Sequence, residues 1–393
     1  MAPLLHIGTT TMQKAQTMQL SKFTIEADKI IQAVEAINLV PSRAGITSSE
    51  FICLESLAKR LTFSMASEVY GTTWAPKTGS SAQWVFHVDR ASFVPFILAS
   101  KTFKSKALFR FIFREARSDS HLTVRCGRRK AVFQKIDVTR DYAKDIKPKG
   151  AKLLLTAGQK SLLRLAAKYS TQDPTYAHLN CVFLLRRKAV VASNRIAAFV
   201  GKDLAAPMSA PLPPLLLSLF NSDTVKEIIV GKQQARLELT CGYICQLINE
   251  EAIQDFPAKS LLAAVRRGAK LPKVFSIKAK SLLDSLERLQ EYVSFLTKRE
   301  MLVEVTGKQG NEYLSMACTV PNGRFEERLR LTSELQQDVF CKWLMNNVLP
   351  LSEVVDKVQS IDVHYNDKRK RQGYYFRAGE IQVLATRPMK QHE

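Results

Sequence analysis

Three basic residues, Lys160, Arg164 and Lys168, recur at i, i+4 and i+8. On a helix that spacing puts them on one face, opposite Leu162, Leu163, Leu165 and Ala166. Cations ranked in this way suit one kind of chemistry: they neutralise phosphates along a backbone without reading base sequence. An ordinary solvated face looks the same, so the rest of the chain has to weigh in. The 393 residues hold 58 Lys+Arg against 36 Asp+Glu, a net charge of +22. Such an excess fits a polyanion, most often nucleic acid; a basic surface that merely aids solubility is the plainer alternative.

Residues for other chemistries do not assemble. Gly201-Lys202 and Gly231-Lys232 lack the surrounding Gly-rich loop that cradles phosphates. There is no Gly-x-Ser-x-Gly elbow and no His-Glu-x-x-His, and the six histidines are isolated. Asp and Glu do not gather as a two-metal centre would need. Cys241 and Cys245 lie four apart in a strand-like run, without a second pair or a nearby histidine to complete a zinc site. The seven cysteines read as buried free thiols of a reducing compartment. No catalytic residue, metal or cofactor is expected, and the chain does not read as an enzyme.

The elements that must position the basic residues come from a repeat. Phe23–Ile31, Leu155–Leu163 and Phe275–Leu283 share an apolar residue, a hydroxyl residue (Thr24, Thr156, Ser276) and an aliphatic pair six and seven positions further on. Each reads as a strand running into an amphipathic helix, with the hydroxyl marking the change. Spacings of 132 and 120 residues fit a whole small domain. The expected division is an N-terminal extension at 1–17 and three similar domains at 18–148, 149–270 and 271–393.

Domain one is expected to hold a helix at Ala27–Ile37, strands at Phe51–Ser64 and Ala82–Val88, and a second helix at Arg90–Lys101. Short strands follow at Ala107–Phe113, His121–Cys126 and Ala131–Ile136. Domain two repeats this with helices at Gly158–Tyr169 and Leu215–Asn221; a linker at Arg266–Pro272 leads to domain three, whose second helix is read at Glu334–Asn347. Each domain then has two halves, strands plus a helix followed by a helix plus strands. Small sheets cannot stand alone in water, so they must continue across domain boundaries, with the helices covering one face. Lys29, Lys280 and Arg288 belong to the first helices, and Arg90, Lys101 and Lys342 to the second. No apolar run approaches the roughly 18–20 residues of a membrane span, and Met1–Leu20 has no leader pattern, so a soluble, cytoplasmic protein is expected.

Several strings resemble the bacterial DNA polymerase III β sliding clamp, in order and over Met18–Lys390. Gln172-Asp173 followed by Leu179-Asn180-Cys181-Val182-Phe183 is similar to that family's Gln-Asp…Leu-Asn-Gly-Met-Leu-Phe. Ala192-Ser-Asn-Arg-Ile-Ala197 sits where the family has Thr-Asp-Gly-His-Arg-Leu-Ala. Phe256-Pro257, Arg125-Cys-Gly-Arg128 and Arg387-Pro-Met-Lys390 also match family strings. The resemblance implies an α+β fold of three tandem clamp-type domains, each with two helices on antiparallel sheets. Two chains would close head to tail into a ring around duplex DNA, and the ring would tether a polymerase and other partners. A monomeric clamp-fold nucleic-acid binder without encirclement is the alternative, and a catalytic nucleic-acid enzyme a third.

The resemblance also implies sites. DNA contacts would come from Arg43, Gln172 and His178 together with the helix cations Lys29, Arg90, Lys160, Arg164, Lys168 and Lys280. A pocket for short linear motifs of the polymerase and the clamp loader would be Leu179, Val191, Ser193, Asn194, Arg195, Ile196, Pro388 and Met389. The homodimer contact would set Ala131 and Phe133 of one chain against Tyr292 and Val293 of the other; a core role for Phe133 is the alternative. No membrane partner is implied, and the place of work would be the nucleoid. The pocket departs from the family where Asp-Gly-His becomes Ala192-Ser193-Asn194, and family members are usually acidic where this chain is basic.

Overall fold

The computed structural model describes residues 19–41, 50–136, 150–294, 301–354, 359–365 and 373–385, apart from 68, 81, 103–106, 116–119, 172, 187–188, 203, 205, 222–224, 232, 249 and 321–322. By internal contacts the chain divides into two compact units, Met1–Lys144 and Asp145–Glu393.

In the first unit, strand β1 (Gln19–Glu26) runs into helix α1 (Ala27–Asn38). Strands β2 (Phe51–Ser56), β3 (Arg60–Ala66), β4 (Tyr70–Pro76), β5 (Thr78–Gly79) and β6 (Trp84–Asp89) follow, then helix α2 (Arg90–Leu98). Strands β7 (Leu108–Glu115), β8 (His121–Cys126) and β9 (Arg129–Gln134) close the unit. One antiparallel set runs β4-β3-β2-β6, and the other sheet runs β5-β1-β7-β8-β9. Alternation sets the faces: Phe23, Ile25, Phe109, Phe111 and Phe113 are buried, while Lys22 before Phe23 and Arg110 between Phe109 and Phe111 are exposed. Phe23 stacks on Phe111 at 5.1 Å and Trp84 of β6 stacks on Phe113 at 4.7 Å, so the two sheets meet through aromatic rings. Helix α1 buries Ile30, Val34 and Ile37 at helical spacing and is tied to β4 where Thr73 Oγ1 donates to the Ala33 carbonyl at 2.8 Å.

The second unit runs the same plan twice. Strand β10 (Ala151–Leu153) leads to helix α3 (Ala157–Lys168), then to β11 (Val182–Leu185), β12 (Ala189–Ser193), β13 (Ala197–Gly201) and β14 (Ala210–Leu212). The short helix α4 (Pro214–Ser218) precedes β15 (Val225–Val230), β16 (Gln234–Leu239) and β17 (Gly242–Leu247). Helices α5 (Glu250–Asp255) and α6 (Ala258–Gly268) then lead to β18 (Lys273–Lys278) and the long helix α7 (Ala279–Ser294). Strands β19 (Leu302–Gly307), β20 (Tyr313–Val320), β21 (Gly323–Arg330) and β22 (Val339–Leu344), helix α8 (Met345–Val348), and strands β23 (Ser360–His364), β24 (Tyr374–Ala378) and β25 (Ile381–Ala385) complete it.

One strand order occurs three times. The strand before each first helix pairs with the strands after the second: β1-β7-β8-β9, β10-β15-β16-β17 and β18-β23-β24-β25. The strands between the helices form β4-β3-β2-β6, β13-β12-β11-β14 and β21-β20-β19-β22. The two halves expected of each repeat are therefore interleaved and not consecutive. Within the second unit the sheets do continue from repeat to repeat, because β13 pairs with β25 to make one eight-stranded sheet.

Other expectations need correction. The hydroxyl residue marks the start of a helix in only one copy. Thr156 caps α3, accepting from Gln159 N while the Gln159 side chain accepts from Thr156 N. Thr24 and Ser276 lie inside strands, where they bond across to Thr78 (2.8 Å) and Asp362 (2.7 Å). The helix expected at Glu334–Asn347 is strand β22 over Val339–Leu344 and helical only from Met345, with Val339, Cys341 and Trp343 buried and Phe340 and Lys342 exposed, a period of two. The linker expected at Arg266–Pro272 begins inside α6. Phe51–Ser64 breaks at 57–59 into β2 and β3. Cys241 sits in the turn before β17, so it does not share a strand face with Cys245.

Candidate nucleic-acid and partner-binding sites

Helix α3 carries the basic triad on the side away from buried Leu162, Leu163, Leu165 and Ala166. The three cations do not present themselves equally. Lys160 is half-buried and its Nζ donates to the Val225 carbonyl at 2.7 Å, so one donor is committed to β15. Arg164 is half-buried, and Lys168 in the last turn is exposed. Lys29 on α1 is exposed beside Asp28 at 3.7 Å, and Lys280 is exposed at the start of α7. Arg90 serves the architecture. Its guanidinium donates to the Asn38 carbonyl at 2.9 Å and to Asn38 Oδ1 at 2.9 and 3.1 Å, holding the end of α1. Lys101 pairs with Glu35 of α1. Lys342 lies on β22 and pairs with Glu304, so it belongs to no helix. Arg43 and Gln172 lie outside the described residues.

The turn between β12 and β13 is the most tightly specified part of the expected pocket. Asn194 Oδ1 accepts from Ile196 N at 3.1 Å and from Ala197 N at 2.7 Å, an Asx turn. Ser193 Oγ donates to the Ala197 carbonyl at 2.9 Å and accepts from Arg195 N at 3.2 Å. Between them Arg195 adopts φ 75°, the left-handed region that a residue with Cβ enters only when its surroundings impose it. Its guanidinium lies 4.8 Å over the Tyr176 ring, and His178 meets the same ring edge-on at 6.4 Å. The turn is braced from the third repeat, where Asn347 Oδ1 accepts from Asn194 Nδ2 at 3.3 Å and the Asn347 carbonyl accepts from the Tyr169 hydroxyl at 2.8 Å. That brace was not legible in the sequence, because it joins residues 153 positions apart.

Leu179 and Val191 are not on an open wall. They are 6% and 0% exposed, enclosed with Phe256, Val265 and Tyr375 beneath α5 and α6. Phe183 stacks on Phe256 at 5.0 Å, and a Cβ on Gly268 would stand 2.9 Å from Leu384, so α6 ends hard against the sheet. Arg195 is exposed, and Asn194 and Ile196 are half-buried. Pro388 and Met389 lie outside the described residues.

For the expected dimer contact, β9 is the outer strand of its sheet, and among the described residues no strand pairs with its far edge. Phe133 is 8% exposed and packs against Phe93 at 5.3 Å and Phe96 at 6.0 Å. Ala131 is half-buried and Val132 is exposed. In the second unit Tyr292, near the end of α7, is half exposed and stacks on Phe325 of β21 at 4.4 Å. Val293 follows it on the helix, and β21 is likewise an outer strand.

The thiols are chemically quiet. None of the seven forms a disulfide, and burial pushes Cys53, next to Glu55, and Cys181 up to about 12. Among the described residues no group of three His, Cys, Asp or Glu could hold a metal ion. No described helix is long and apolar enough to cross a membrane.

No family model matches this sequence, and no curated protein matches it either. Solved structures do. The DNA polymerase sliding clamp of Bacillus subtilis superposes with a TM-score of 0.71 at 14% identity, over 94% of this chain and 100% of that one. The fold is that of the bacterial β sliding clamp. The DNA polymerase III β chain of Streptococcus pneumoniae TIGR4 gives 0.71 at 12% identity, over 94% and 100%. The sliding clamp of Caulobacter crescentus gives 0.69 at 13%, over 94% and 99%. The clamp fold thus spans 94% of this chain and 99–100% of those chains.

Proposed function

We propose that the protein is a DNA sliding clamp, a processivity factor that performs no chemical step itself. The observation that carries this reading is the clamp fold over 94% of the chain, built from one strand order used three times. In this reading the repeats are three clamp domains, at 18–148, 149–270 and 271–393. Two chains close head to tail: the open edge of β9, with Ala131, faces the Tyr292–Val293 end of α7 and the open edge of β21 in the second chain. Each contact is used twice, which satisfies closed symmetry and leaves neither edge free to recruit other chains.

DNA passes through the ring and is held by topology. The cations on α1, α3 and α7, among them the exposed Lys29, Lys168 and Lys280, make weak phosphate contacts that allow sliding. Arg43, Gln172 and His178 add contacts near the hole. The Asn194–Ile196 turn, with Pro388 and Met389, receives short linear motifs of a polymerase and a clamp loader, and the buried Leu179 and Val191 support it from behind. The protein then works in the cytoplasm, on the nucleoid.

Retention tests the proposal. Loaded onto a nicked plasmid, the protein should stay bound in moderate salt and leave when the plasmid is linearised. A chain that leaves both templates equally fast, with a steep salt dependence, would favour the monomeric binder without encirclement. Removing residues from Arg387 onwards should abolish binding of a polymerase-derived peptide and leave the dimer intact. Undiminished peptide affinity would move the pocket elsewhere.

A further inference from the structure

We propose that the outward face of the sheet β5-β1-β7-β8-β9 is a second nucleic-acid surface, distinct from the helix cations, and that it takes the phosphate backbone of a duplex. The strand register places Thr24, Arg110, Arg125 and Lys130 in one row directly across β1, β7, β8 and β9. Arg110 faces Arg125 and Arg125 faces Lys130, two opposed like-charge pairs, and all three are exposed. Such pairs destabilise a sheet unless something neutralises them. Lys22 and Arg114 share the face, also exposed.

The other two repeats show what the same fold does elsewhere. The equivalent row of the third repeat is Ser276, Asp362, Arg377 and Gln382, and there Asp362 accepts from Ser276 and pairs with Lys273 at 2.9 Å. In the second repeat Lys152 pairs with Glu227 at 2.9 Å and Arg236 with Glu238 at 2.7 Å. Each of those sheets sets carboxylates among its cations. In the first repeat's five strands the acidic residues are Glu26 and Glu115. Glu26 lies at the α1 end of the face, and Glu115 falls in the alternation with the inward phenylalanines.

The shape supports a backbone ligand. A shallow open hollow of about 390 Å³ lies at the β5 end of the row, lined by Lys22, Thr24, Thr78 and Arg110. Beside Phe23, Gly79 and Ile112 it offers two cations and the Thr24–Thr78 hydroxyl pair, which shares one hydrogen bond and leaves one O–H to donate to a phosphate oxygen. Strand spacing puts Arg110 and Lys130 about 10 Å apart, and Arg110 and Arg114 about 14 Å apart along β7, so the patch spans several phosphates. No Phe, Tyr or Trp occupies an outward position of these strands, so nothing is provided on which unpaired bases would stack.

The test is the full-length double variant R110S/R125S, with R110Q/R125Q as a second version should the first fold poorly. Affinity for a short linear duplex, which cannot be held topologically, is measured by anisotropy from 50 to 200 mM salt. Loss of two phosphate contacts should weaken binding about ten-fold and lower the salt slope by about two. The equal-charge control K152S/K273S, whose lysines already pair with Glu227 and Asp362, should bind like the parent. Retention on circular DNA at salt high enough to screen the patch should be unchanged, which separates this surface from encirclement. Unchanged duplex affinity, or an equal loss in the control, overturns the proposal. So does loss of binding to phosphatidylserine vesicles with duplex affinity intact, which would assign the face to a membrane surface.

Discussion

Asn194 and Thr156 do their work through single side chains, and each sets a testable cost. Asn194 Oδ1 satisfies two backbone donors and holds Arg195 in its left-handed conformation. Asn194→Ala should therefore cost about 2 kcal/mol, read as a lower urea midpoint at unchanged slope. Thr156→Ala, which removes the capping box of α3, should cost about 1 kcal/mol in the same measurement. Both residue types could be noticed in the sequence, since Thr-x-x-Gln before an apolar run is a capping signature. The turn was less legible. Asn and Ser between two strands announce a turn, but its rigidity comes from Asn347, brought there by the tertiary fold. Phe133 shows the same limit: β-strand alternation leaves two faces open, and only the packing of Phe93 and Phe96 decides which one is core.

Strands and helices were legible where apolar residues kept a clean period over a long run. The first helix of each repeat is such a case, with α1, α3 and α7 all near their expected positions. The signal failed on β19–β22, where the outward positions mix Glu304, Tyr313, Arg324 and Phe340 and blur the polar face. Glu304 there accepts from Arg324 at 3.0 Å and pairs with Lys342 at 3.1 Å. Lys342 on the neighbouring strand, then Arg324, hold its carboxyl below the ordinary value of 4.5, against the opposing effect of burial. A carboxylate with a lowered folded pKa adds stability above that ordinary value and loses it as pH falls through the folded one. Glu304→Gln should thus cost roughly 0.2–1 kcal/mol at pH 7, with the difference from the parent closing below pH 4.5. On the opposite sign, Arg125→Glu would set an acid between Arg110 and Lys130 and should raise stability by about 0.2–1 kcal/mol while weakening duplex binding. A melting temperature that falls would show the row to be already neutralised within the protein.

At the scale of the whole molecule the prediction is a mass. If the open edges of β9 and β21 meet across two chains, light scattering should give about twice 44.2 kDa. Substituting Tyr292 by Asp should return a monomer, because the substitution would set a charge at an edge contact that buries apolar surface. The sequence by itself determined the repeat, its period, the helices that open each copy and the excess of positive charge. These are properties of local periodicity and composition, and they survive without knowing which strands meet. The tertiary structure alone decided that the two halves of each repeat interleave, that α6 covers Leu179 and Val191, and that Arg110, Arg125 and Lys130 stand in one row. Strand pairing joins residues far apart along the chain, and a shift of one residue turns every side chain to the other face, so register belongs to the folded molecule.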